Sequence, residues 1–163
     1  MKNLIVVAFA AAFLGGCGAM EIQAQREHEG REALRDRPQL KSDLNSAMEN
    51  ANIACTNTQS CEKAFRLAKI YVQENADMKI QLSDDTMVST YNSTKYGYVA
   101  LRATKVPGAG ASATIKLTAS CYGMDVSTAN SESPQLALLF TRCARRVVPI
   151  YQGFRPYIEP KLP

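Results

Sequence analysis

The sequence predicts a two-layer α+β domain: an antiparallel meander of about four strands with helices packed on one face, braced by two disulfides. Three observations predict it. Apolar residues recur at helical spacing over about 39–54 and again from 60 to 75. The period then changes to two through four stretches between 78 and 121. A last amphipathic stretch follows Ser133-Pro134, which gives the order α-α-β-β-β-β-α. The strands follow one another as local hairpins, so no parallel crossover is needed.

Each element has its own reason. Leu40, Leu44, Ala47, Met48 and Ala51 fall on one face of the first helix. Ser60 is the expected cap of the second, with Glu62 in its first turn, where the dipole favours an anion. Phe65, Ala68 and Val72 line its buried face, and it should end near Asn75. Met78, Ile80 and Leu82 then alternate with polar residues, and Ser83-Asp84-Asp85-Thr86 turns the chain into a return strand, Met87 to Tyr91. This strand is expected at the sheet edge, where its backbone is open to a partner strand. After Asn92-Ser93-Thr94-Lys95, a third strand covers about 96–106, with Val99, Leu101 and Ala103 on one face. Pro107-Gly108-Ala109-Gly110 is a turn signal. Ala113, Ile115, Leu117, Ala119 and Cys121 form the clearest alternation in the chain, so one face is buried and one wet. Residues 127–132 read as loose. Leu136, Leu139, Phe140, Cys143 and Val147 make the stripe of the last helix, which Pro149 should break or bend, leaving the tail extended.

The N-terminus is an address. Lys2 supplies a positive charge ahead of an eleven-residue apolar run, Leu4 to Leu14. That run is short of the ~20 residues that span a bilayer. Leu14-Gly15-Gly16-Cys17 follows it and resembles the lipobox of bacterial lipoproteins, a likeness confined to the first seventeen residues. The resemblance implies removal of residues 1–16 and a diacylglyceryl thioether on Cys17, with acylation of the new N-terminus. Several acyl chains give stable anchoring where one is marginal. Position 18 is Gly rather than the Asp that favours inner-membrane retention in such families. The likeness therefore implies an outer-membrane anchor facing the periplasm. Residues 17–37, with alternating charges, read as the lipidated cysteine and a semi-flexible tether that Pro38 ends; residues 38–163 form the single domain.

Cys17 aside, four cysteines remain: Cys55, Cys61, Cys121 and Cys143. In an exported domain they read as two disulfides with three possible pairings, of which Cys55–Cys61 with Cys121–Cys143 is preferred. The turn-rich spacer Thr56 to Ser60 can bring the first pair together. Neither gap has metal-ligand spacing, and His28, the one histidine, lies in the tether, so no metal or other cofactor is expected.

Composition limits the function. With 163 residues, 46% hydrophobic, 21% charged and a net charge of +4, the chain allows one modest core. Its basicity is too slight and too evenly spread for a nucleic-acid binder. The domain lacks the histidine on which the commonest general bases and triads depend, and it has no phosphate-loop or zinc-protease motif. Ser60-Cys61-Glu62-Lys63 matches S-x-x-K, but its companion motifs are missing, so Ser60 reads as a cap. Asp84 and Asp85 are adjacent in a turn and should point apart.

A binding face is the better expectation. Arg142, Arg145 and Arg146 share one side of the last helix, either a solvated face opposite the apolar stripe or a face suited to anionic headgroups or an acidic partner. Tyr96 and Tyr98 belong to a set of tyrosines that either form a binding surface on the wet side of the sheet or close the edges of the small core. The expected role is a non-catalytic, lipid-anchored accessory protein of an envelope assembly, with an envelope protein as partner. The alternatives are an inhibitor or ligand-binding module, for example against a hydrolase, and a histidine-independent enzyme.

Overall fold

The computed structural model describes the backbone of residues 4–162 and the side chains of residues 20–162. Helix α1 (Leu4–Asn50) leads into strand β1 (Asn52–Cys55) and helix α2 (Thr58–Asn75). Strands β2 (Ile80–Ser83), β3 (Met87–Thr90), β4 (Val99–Pro107) and β5 (Ala113–Cys121) follow. A short α3 (Val126–Asn130) precedes α4 (Pro134–Ile158), which ends in a 3-10 turn, Glu159–Lys161. The sheet has five strands, not four, in the order β1-β5-β4-β3-β2, all antiparallel. The additional strand is β1, whose first three residues fall in the stretch expected as the end of the first helix; it pairs Asn52 with Lys116 and Cys55 with Ala113. The expected edge strand is internal: β3 lies between β4 and β2, and β2 is the edge.

Alternation sorts the sheet into two faces. Val88, Val99, Leu101, Ala103, Ile115 and Leu117 are buried in one core with Phe65, Val72, Val147, Phe154 and Ile158 of α2 and α4. The opposite face carries Ser89, Arg102, Thr104, Lys116, Thr118 and Ser120.

Three prolines fail to stop helices. Pro38 lies inside α1, and Pro149 and Pro156 lie inside α4, whose last two turns replace the expected extended tail. All three are exposed, so the carbonyl that each leaves without an N–H partner lies on the solvent side, where water can serve it. Asn57, not Ser60, caps α2: its side chain accepts from the Ser60 N–H at 2.9 Å. The stretch read as loose contains α3, set by a capping box between Asp125 and Thr128.

The segment read as a tether is helix, and half of it is packed. In α1 the buried or half-buried residues Gly30, Ala33, Arg37, Leu40, Leu44 and Ala47 alternate steps of three and four. In α4, Pro134, Ala137, Thr141, Ala144, Val148 and Tyr151 do the same. This is the spacing of a coiled-coil seam. The two helices run in the same direction: Gly30 abuts Pro134, Asp36 pairs with Arg145, and Ala47 shares a groove with Tyr151. A β-carbon on Gly30 would come within 2.6 Å of the Pro134 β-carbon, so the close approach requires glycine. Residues 20–28 are exposed.

Candidate functional site

Both preferred disulfides are present. Cys55–Cys61 ties β1 to the first turn of α2, and Cys121–Cys143 ties the end of β5 to the middle of α4. The lipobox and Cys17 lie outside the residues whose side chains are described.

The three arginines do not form one open basic face. Arg142 pairs with Glu29 at 3.3 Å and Arg145 with Asp36, both across the α1–α4 seam. Arg146 reaches the other way, to Asp77 at 2.9 Å and to the Gly97 carbonyl oxygen at 2.6 Å. Partial burial favours the neutral form of Asp77, but the Arg146 guanidinium and the Val99 N–H outweigh it and hold the carboxyl below the usual range. Glu29 and Asp36 lie in the segment that the sequence assigns to a tether and Asp77 between the second helix and the next strand, so helical periodicity alone could not reveal them.

The tyrosines divide by environment. Tyr71 and Tyr151 are core residues whose hydroxyls bond backbone: Tyr71 donates to the Ile150 carbonyl oxygen, and Tyr151 accepts from the Ala119 N–H at 2.7 Å. Tyr96 and Tyr98 are exposed. Tyr96 packs tilted against Tyr122, with ring centroids 4.6 Å apart, and Lys95 lies over Tyr98. The two carboxylates of the β2–β3 turn have different neighbours. Asp84 accepts from the Thr86 and Met87 N–H groups, which lowers its pKa and fixes the turn. Asp85 lines a groove with Lys69 and Lys105.

The bare face of the sheet holds a depression of about 210 Å³ that sequence reasoning did not single out. Register builds it: Ser89, Arg102 and Thr118 face one another across β3, β4 and β5, and Ala100 sits opposite Ser120 in the next row. Small side chains at Ser89, Ala100 and Ser120 leave the floor low beside Arg102, and Asn92, from the loop after β3, adds a wall. Thr90 is engaged, donating to and accepting from the Leu101 backbone. The side chains of Ser89, Asn92, Arg102, Thr118 and Ser120 make no hydrogen bond or ion pair among the described residues. The available signal was the run of polar residues opposite each apolar stripe, which marks a wet face but not a concavity.

Comparison with protein-family models, curated proteins and solved structures found no match to this chain. Among the described residues, no helix is long and apolar enough to cross a membrane.

Proposed function

We propose that this protein is a lipid-anchored, non-catalytic binding protein of the cell envelope, held at the outer membrane by Cys17 and facing the periplasm as an accessory of an envelope assembly. The observation that carries the reading is the one-sided sheet. Helices cover one face, while the other keeps a concavity lined by unengaged polar side chains. Two further features support it. Paired disulfides suit an oxidising compartment. The exposed helical stretch 20–28 connects the lipobox side of the chain to the packed domain as a short stalk.

Two measurements on cells test it. Cys17→Ser should abolish acylation, read as a lost mass increment, and should release or stall the protein; membrane association that survives unchanged overturns the anchor. A photo-crosslinker placed at Thr118 on the bare face should capture one dominant envelope partner, and one placed at Gln152 on α4 should not. No partner above background from Thr118 overturns the accessory role.

A further inference from the structure

We propose that the depression around Arg102 is a binding site for an anionic sugar, one ring bearing a carboxylate or phosphate group. The inference rests on the binding role above and names the ligand class for its open face.

The lining residues supply the argument. Arg102 is the one charged side chain among them, and it has no carboxylate partner among the described residues. Its guanidinium offers a planar fork of donors that matches a carboxylate or phosphate in two-point contact. Ser89, Thr118 and Ser120 contribute three hydroxyls, each able to donate and accept, and Asn92 contributes an amide with both capacities. Such a set suits the hydroxyls of a sugar, which also donate and accept, better than an apolar ligand. Neighbouring strands lie ~4.8 Å apart, so Ser89, Arg102 and Thr118 form a row about 10 Å long, the reach of one sugar ring with its substituents. The volume, about 210 Å³, is the room of roughly seven waters at ~30 Å³ each. It has room for one sugar unit, free or part of a chain that continues over the open face. Asn92, Arg102, Thr118 and Ser120 are exposed and their polar groups are available to a ligand, while Ser89 is buried at the floor.

The same chemistry is offered by a free sugar acid or sugar phosphate and by one unit of an anionic glycan chain. The probes separate the two sources. The full chain in a non-ionic detergent is titrated calorimetrically with glucuronic acid, glucose 6-phosphate, neutral glucose and a short polyuronate. The expected result is saturable binding of the anionic monomers, weakened by salt, with glucose at least ten-fold weaker. Polyuronate binding at least ten-fold tighter than glucuronic acid assigns the site to a glycan chain, and equal binding assigns it to free sugars. Arg102→Gln should weaken every anionic probe at least ten-fold, and Thr118→Val by a smaller factor, with unfolding midpoints unchanged because both side chains are exposed. No saturable binding of any anionic probe, glucose bound as well as glucuronic acid, or binding unaffected by Arg102→Gln overturns the proposal. Such a failure alongside an intact Cys17-dependent anchor and a Thr118 crosslink sinks the ligand class and leaves the envelope role standing.

Discussion

The Tyr71 hydroxyl donates to the Ile150 carbonyl oxygen at 2.6 Å and so joins α2 to α4 beneath the sheet. Burial raises its pKa from 10.0 to about 12. An acid group whose folded value is raised stabilises fully below its unfolded value and loses that contribution as pH rises through the folded one. Wild-type stability should therefore fall between about pH 10 and 12, and Tyr71→Phe should flatten that fall. At neutral pH the same variant should cost about 0.5–1.5 kcal/mol, the usual net worth of one hydrogen bond. Gly153 makes the approach possible, since a β-carbon there would lie 2.7 Å from the hydroxyl. Gly153→Ala should destabilise by about 1–3 kcal/mol through overpacking, and by less in the Tyr71→Phe background. Urea unfolding of the four-member cycle measures the coupling; strict additivity would mean that the two residues do not oppose each other.

Asp77 sets the acid limit of the loop at the head of β4. Its carboxylate accepts from the Val99 N–H at 2.7 Å and pairs with Arg146, whose other nitrogen holds the Gly97 carbonyl. A lowered folded pKa contributes stability above the unfolded value, ~3.9, and loses it as pH falls through the folded value. Asp77→Asn should cost about 1–2 kcal/mol at pH 7, and the gap to wild type should narrow below about pH 4. Thermal melts at pH 3, 5 and 7 measure it; a gap independent of pH would remove the carboxylate charge from the account.

How far the sequence could be read follows from which rules are local. Alternation in β4 and β5 is local and strong, so both strands and their buried faces are legible from residues such as Ile115 and Leu117. β1 is four residues long and exists because Ile53 and Cys55 dock beside β5, a non-local pairing that no short window carries. A proline costs a helix most when the freed carbonyl is buried, and the exposure of Pro38, Pro149 and Pro156 is a tertiary fact that no local rule carries.

The candidate site divides in the same way. The disulfide pairing is legible because Cys55 and Cys61 flank a turn-rich spacer. Arg142 and Arg145 are misread as an open face because their partners, Glu29 and Asp36, are more than 100 residues away. Arg102 is locally one polar residue of a wet face; of the small neighbours that make it a depression, Ala100 shares its strand, but Ser89 and Ser120 come from β3 and β5.

The two disulfides should contribute unequally. In the chain-entropy model a bridge stabilises more as its loop lengthens, so Cys121–Cys143, with a separation of 22, is worth about 3 kcal/mol and Cys55–Cys61, with a separation of 6, about 2 kcal/mol. Cys121→Ser/Cys143→Ser should thus lower the urea midpoint more than Cys55→Ser/Cys61→Ser. The longer bridge also fixes α4 against the sheet, where Cys143 is fully buried. Equal midpoints for the two double variants would contradict the ranking, and a reduced wild type as stable as the oxidised one would remove the bridges from the stability of the fold.

The seam between α1 and α4 predicts where the chain can be shortened. A chain starting at Pro38 keeps every residue that the sequence assigns to the domain, but it loses the Gly30–Pro134 contact and buried Ala33. It also loses Arg37, whose mostly buried side chain donates to the Ser131 carbonyl oxygen and pairs with Glu132 at 3.6 Å. The ion pairs of Glu29 and Asp36 go with them, each worth ~0–1 kcal/mol at these exposures. Together these should cost about 2–4 kcal/mol, most of it from Arg37 and the small-residue packing. A chain starting at Glu29 keeps all of these contacts and, of the described side chains, loses only the exposed ones of residues 20–28, so it is the reference. Equilibrium unfolding of the two truncations decides whether residues 29–37 are stalk or domain: equal midpoints would make them a spacer, and a lowered midpoint for the Pro38 start moves the domain boundary up to Glu29.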